Sequence, residues 1–416
     1  MMMRHLSILV LFTLAVPLPA QVVRLDGELL KGSGTVAKIA SLVDVRILSD
    51  LPAGEKGTLW SSWGDGCVAK NGRYYFAVGN HLDLAKGAGQ SRIYEFDPKT
   101  KNVKLVVNVR DVIEDTKIAA GKIHGRIDQG ADGWLYFATY WGKVPDQADF
   151  SAGFKGSALL RYEPESGKRE LLGVPVEGQG LPTSILDSQQ MLFYSYAVYS
   201  GDFVVYDLAK REVKFRAGGD DQEGNRNIML DRDGNAYFST KGGGIGRYSR
   251  EKNQIEATKA KLPGGSLRAS TDAARSGVIF GMTQAGEMFW FDPKTEVVED
   301  LGANLGREYT AVMVLSPDEK FVYYAPGAHG SGVRLGTPIV QYDIAAKRHK
   351  VIAFLNPAMR QQFKYNIGGT YNIKLSADGA TLFCTFNGAP LEAGAKKEAA
   401  FGRPCLVVVQ IPREER

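Results

Sequence analysis

Cysteine is scarce. Cys67, Cys384 and Cys405 are the only three in 416 residues, too few for a disulfide-stapled scaffold, and at least one stays unpaired if all lie within one chain. One disulfide at most is expected, with a fold held by its core. Long apolar runs are missing after the first twenty residues, where none approaches the roughly 18 needed to cross a bilayer, so no membrane span is expected. Charge of one sign is missing as well: the net charge is +5 and the basic residues are interleaved with acidic ones, which leaves no stripe for nucleic acid. No serine-nucleophile elbow, Walker loop, dinucleotide fingerprint or zinc-ribbon spacing occurs. The run Gly242 to Gly246, GGGIG, has no helical pattern after it and reads as a strand connection.

What is present begins with a basic start (Arg4, His5), an apolar run from Leu6 to Leu18, and Pro19-Ala20 before Gln21. That is the pattern of a cleaved secretory signal over residues 1–20, and it implies a secreted or periplasmic protein whose mature chain starts near Gln21. The 48 glycines and 10% aromatic content fit an all-β chain dense in turns.

The organising stretch is Lys122 to Gly142, KIHGRIDQGADGWLYFATYWG. It reads as a strand from Ile123 to Gln129, a turn at Asp132-Gly133, and a second strand from Trp134 to Tyr140. Hairpins of this kind recur at Gly66 to Gly79, Gly125 to Thr139, Ser184 to Ala197, Asn227 to Thr240, Arg268 to Thr283, Ala311 to Gly327 and Asn372 to Phe386. Most are followed by a second hairpin carrying an aromatic, an acid and a short polar turn, as in YEFDPKTKNVKLV and FWFDPKTEVVEDL. Aligning Asp97, Glu163, Asp207, Ser249, Asp292 and Asp343 gives separations of 66, 44, 42, 43 and 51. Four strands per unit at this period predict a seven-bladed β-propeller of four-stranded blades. The last unit has only Cys405 to Ile411 after its hairpin, and an open sheet edge is a liability. A strand within Val36 to Leu48 is expected to complete that blade and close the ring, so 21–416 is read as one propeller domain, and as a monomer.

Insertions at His81 to Gln90, Gly142 to Gly156, Ala328 to Thr337 and Gly388 to Gly402 all follow a second strand. Loops after strand two and loops leading into strand one open on the same end of a propeller, and elaborated loops on a rigid scaffold are where binding sits. His124, Arg126 and Tyr140 meet there as an acid/base and anion-binding set. Arg226, Arg268, Tyr199, Tyr309, Tyr371 and Asn372 are expected to bind substrate at the same mouth, because guanidinium pairs with carboxylate and aromatic faces stack on sugar rings. His81, His124 and His329 also map to this end and are candidate ligands for a divalent metal ion, with Asp65, Asp83 and Asn387 as possible oxygen donors. His349, in AKRHK, is expected in a solvated turn. The ligand class that fits is a small molecule or polysaccharide bearing carboxylate and hydroxyl groups, such as a uronic-acid sugar.

The repeated blades resemble the secreted seven-bladed propellers that include virginiamycin B lyase-like and lactonase-like proteins and the propeller polysaccharide lyases. That resemblance covers nearly the whole mature chain but rests on architecture, which does not fix activity. It implies β-elimination, with His124 or Tyr140 as base or acid and Arg126 or Arg268 neutralising the substrate carboxylate. The alternative is a non-catalytic propeller that binds a glycan or a protein through the same face. A redox propeller carrying a quinone or copper finds no haem CxxCH and no dense His/Cys cluster to support it.

Overall fold

The computed structural model describes residues 58–82, 89–141, 143–218, 226–392 and 399–416, together with the backbone of three short strands, Arg24–Leu25, Glu28–Leu29 and Lys38–Leu42. The signal segment 1–20 and Asp83 lie outside the described residues.

Seven antiparallel sheets follow one another along the chain. The first blade is Cys67–Val68, Tyr74–Gly79, Ser91–Asp97 and Asn102–Asn108, in that spatial order. The third through sixth blades repeat this meander, for example Ser184–Asp187, Leu192–Ala197, Asp202–Asp207 and Glu212–Ala217. In each, the second strand is mostly apolar because it is covered by a neighbouring blade on both faces; Tyr74–Gly79, Leu135–Tyr140 and Leu192–Ala197 are buried at every position. A short, unbroken apolar run bounded by turns is what such a strand requires. The outer strands face water along much of their length, as in Glu212–Ala217.

Packing between blades closes the ring. Tyr75 and Ile93 meet Leu135 and Phe137; Tyr136 and Leu159 meet Phe193 and Tyr206; Tyr194 and Phe203 meet Phe238 and Tyr248. The series continues with Tyr237 against Phe289 and Phe291, Met282 against Val322 and Tyr324, and Tyr323 and Ile339 against Leu382 and Val407. Tyr74, Phe76 and Phe96 finally pack on Phe383, Leu406 and Val408, joining the first blade to the last. Each buried aromatic or aliphatic side chain of this kind contributes about 1.5–3 kcal/mol, so the core is a set of seven interfaces and not one central mass.

The last blade is Tyr365–Leu375, Thr381–Pro390 and Cys405–Gln410, with Lys38–Leu42 as its fourth strand. The pairing is antiparallel, Lys38 opposite Gln410 and Leu42 opposite Val407. The three cysteines are unpaired.

Three features depart from the sequence reading. A nine-residue helix, α1 (Leu355–Phe363), leads into the last blade, where no helical pattern was read. His349 lies in the strand Arg348–Phe354 and not in a solvated turn; its Nδ1 is 3.0 Å from the Tyr324 hydroxyl and its ring packs on Tyr342. The expected strand Ile123 to Gln129 is split into Lys122–Ile123 and Asp128–Gln129. Between them the backbone leaves its own sheet for the first blade: Asp65 N–H donates to Gly125 O at 3.2 Å, and Ile127 N–H donates to Asp65 O at 3.0 Å. No helix among the described residues is long and apolar enough to cross a membrane.

Candidate functional site

The split strand sets up the axial mouth. Two glycines permit the close approach of the segments either side of it: a Cβ at Gly64 would lie 2.5 Å from Gly125 O, and one at Gly125 would lie 2.3 Å from Ser184 Oγ. This contact presents Trp63 and Asp65 beside His124 and Arg126.

A cavity of about 400 Å³ opens at the mouth, lined by Trp63, His124, Arg226, Arg268, Gln284, Tyr309, His329 and Tyr371. Beneath it is a polar recess of about 30 Å³ that shares Trp63, His124, Arg226 and Tyr371 and adds Asp65, Arg126, Thr183, Ser184, Asn227 and Ser270 among its walls. Arg226 stands where the two meet. Its Nη2 donates to Trp63 O at 2.8 Å, its Nη1 donates to the His124 ring at Nε2, and its guanidinium carbon is 4.5 Å from the centre of the Tyr371 ring. Among the described residues no carboxylate pairs with it. A cation held by a carbonyl, an imidazole and an aromatic face keeps its full charge for an anionic ligand.

The other positive groups reinforce that field. Arg268 Nη2 donates to Gln284 Oε1 at 2.6 Å. Lys122 is buried, its Nζ 4.6 Å from the centre of the Trp63 ring and 5.4 Å from that of Tyr140; burial, helped by Arg226, pushes its amine well below the ordinary lysine value. Burial first, then Arg226 and Lys122, hold His124 well below 6.5. The Pro182 carbonyl accepts from Nδ1 at 2.5 Å, and Arg226 Nη1 lies against the ring at both nitrogens.

The expected catalytic residues lie near one another, His124 and Arg126 on the recess and Tyr140 against His124, but His124 and Arg126 are engaged within the protein. Both His124 ring nitrogens are engaged. Arg126 lines the recess and not the mouth; its Nε donates to Asp128 Oδ1 and its Nη1 to Asp272 Oδ1, each at 2.9 Å. The Asp272 side chain is 77% exposed, and Arg126 holds its carboxyl below the ordinary value. Tyr140 is 6% exposed and packs edge-on against His124 behind the wall, where burial raises its hydroxyl pKa.

The expected substrate-binding residues divide. Arg226, Arg268, Tyr309 and Tyr371 line the mouth. Asn372 is fully buried and lines neither space. Tyr199 is 62% exposed on the rim, against Phe150. His81, His124 and His329 do not form a metal site: among the described residues no three His, Cys, Asp or Glu side chains are placed to share an ion. His81 packs on Trp60 and Trp63, His124 holds Arg226, and His329 sits against Tyr309, Trp63 and Tyr371. Asp65 is tied to Lys374 at 2.5 Å, and Asn387 to the backbone of Ser62.

Trp63 is the residue that sequence reasoning missed. It stacks on Phe401 at 5.4 Å, touches Tyr371 and His329, and its Nε1 is buried without a hydrogen-bond partner, as is the Tyr371 hydroxyl. Burial raises the Tyr371 hydroxyl pKa, so it stays a donor. Trp63 precedes the first repeat, and the composition of the repeats therefore carried no signal for it.

No family model matches the chain, and no curated protein does. The fold, however, is matched widely. A chain from the Crystal Structure of Mitotic Checkpoint Complex aligns over 96% of this chain and 99% of its own, with a TM-score of 0.56 and 10% identity. At that identity the likeness establishes the seven-bladed propeller and nothing of its chemistry, and 1594 solved chains match in all. A scaffold shared so broadly leaves function to the site.

Proposed function

We propose that this is an exported carbohydrate-active propeller whose axial mouth binds a carboxylate-bearing sugar and cleaves it by β-elimination. The observation that carries the reading is Arg226, a cation with no carboxylate partner among the described residues, fixed at the base of a cavity walled by Trp63, Tyr309 and Tyr371. The guanidinium takes the carboxylate and the aromatic faces take the ring. Export rests on the pattern of residues 1–20.

Elimination needs a base that is neutral and free to accept. His329 fits better than His124, because among the described residues no protein group bonds its ring nitrogens, and burial, Arg226 and Arg268 hold its pKa below 6.5. In this reading His329 removes the proton α to the carboxylate. The β C–O bond breaks with formation of the C=C bond, and the imidazolium returns its proton to the departing oxygen. Arg226 stabilises the enolate-like charge that develops between these events. A purely binding propeller is favoured by a different observation: His124, Arg126 and Tyr140 are all occupied within the protein.

The test is to incubate the protein with uronate-containing saccharides, following both binding by calorimetry and absorbance from a new double bond. Arg226→Ala should weaken binding about 10- to 100-fold, the value of a charge-assisted pair, and Arg226→Lys should recover only part of it, since an ammonium cannot form the bidentate fork. Uronate binding left unchanged by Arg226→Ala would sink the reading, and binding without the double bond would favour the binding module.

A further inference from the structure

The axis of the ring is crossed twice by arginine side chains. The upper crossing is Arg226, which enters the fourth blade and reaches Trp63 O and His124 at the entries to the first and second blades. The lower crossing is Arg126, in the second blade, whose Nη1 donates to Asp272 Oδ1 in the fifth. In a ring of seven those two blades face each other across the axis, so this ion pair spans the channel. Asp128 fixes the Arg126 side chain through Nε, and the Lys374–Asp65 pair joins the last and first blades at the wall of the recess. The recess between the two crossings holds about 30 Å³. That is room for one or two water-sized groups, such as the oxygens of a carboxylate, and not for a sugar ring.

Above Arg226 the cavity of about 400 Å³ sits in the lower part of the range of small-ligand sites. Its wall is raised by the sixth-blade insertion that carries His329 and by the Trp63, Tyr371 and Phe401 stack. Arg226 lines both this space and the recess. The mouth is open above, and below it the Arg126–Asp272 pair crosses the axis.

We propose that the mouth is a blind cup selective for chain ends: it takes the terminal residue of a short acidic oligosaccharide, carboxylate downward onto Arg226, and does not grip the interior of a long chain. This rests on the acidic-sugar reading given above. The channel cannot be threaded, and a ring seated on Arg226 has its neighbour directed out of the mouth.

The experiment is calorimetric titration of the full chain with linear uronate oligomers from monomer to hexamer and with a long homopolymer, compared at equal mass of uronate. Binding should follow the concentration of chain ends, so that a tenfold longer chain at equal mass should show about tenfold weaker apparent affinity. Chemically capping the ends of the polymer should abolish what binding it has. Binding that tracks total uronate, or that survives capping, overturns the blind cup while leaving the acidic-sugar reading standing. Absence of binding at every length overturns the acidic-sugar reading, and this inference falls with it.

Discussion

In the proposed reaction Arg226 and His329 divide the work of the mouth, and single substitutions should separate them. Arg226 is fixed by three neighbours and offers charge; His329, among the described residues, packs on the rings of Trp63, Tyr309 and Tyr371 and offers a lone pair. His329→Gln keeps the size and polarity of the side chain but removes a group that can carry the proton. It should leave uronate affinity within about threefold and lower the elimination rate about 10²- to 10⁴-fold, the usual contribution of a positioned base. Equal loss of binding and turnover would make His329 a contact and not a base. Both residues were legible in the sequence, since a position leading into strand one or following strand two faces the mouth of any propeller. Which histidine is free was not legible. That depends on Arg226 and Pro182 approaching His124 from 102 and 58 residues away.

At the scale of elements, the interrupted inner strand of the second blade and the strand Lys38–Leu42 carry the most consequence. Period-two alternation predicts one continuous strand from Ile123 to Gln129, but Gly125 O and Ile127 N–H pair with Asp65 of the first blade and Arg126 N–H with Ser184 Oγ of the third, because glycines at 64 and 125 let the chains touch. No pattern within either segment encodes that pairing. The strand Lys38–Leu42 protects the edge of Cys405–Gln410, a strand buried at five of its six positions. Removing residues 1–57 should expose that edge, lower the thermal midpoint read by circular dichroism, and make the protein aggregate with increasing concentration. An unchanged midpoint, with the shortened protein remaining dispersed, would show that packing of the seventh blade on the first closes the ring unaided.

For the whole molecule, the mouth sets the response to acid. His124 is held well below 6.5 by burial and by the neighbouring cations. Between that depressed value and 6.5 the unfolded chain binds a proton that the native state does not, so stability falls as the pH drops through this window. The slope from His124 is at most about 1.4 kcal/mol per pH unit. Asp65 acts in the opposite sense, nearer 3.8, because burial outweighs Lys374 and raises its pKa. Denaturant titrations from pH 7 to 4 should show a loss of stability beginning near 6.5 that is reduced in His124→Gln, provided the variant folds. A profile identical in both proteins would remove His124 from the account.

The amino-acid sequence by itself determined the seven four-stranded units, the aromatic strands between blades and the end of the ring that is elaborated. These follow from local periodicity and turn chemistry repeated along the chain, and each unit displays them independently. Tertiary structure alone decided which charges cancel and which remain. Arg126 meets Asp272 only because blades two and five face each other across the axis, and the same closure brings Trp63, His124 and Tyr371 to Arg226, with no carboxylate beside it among the described residues.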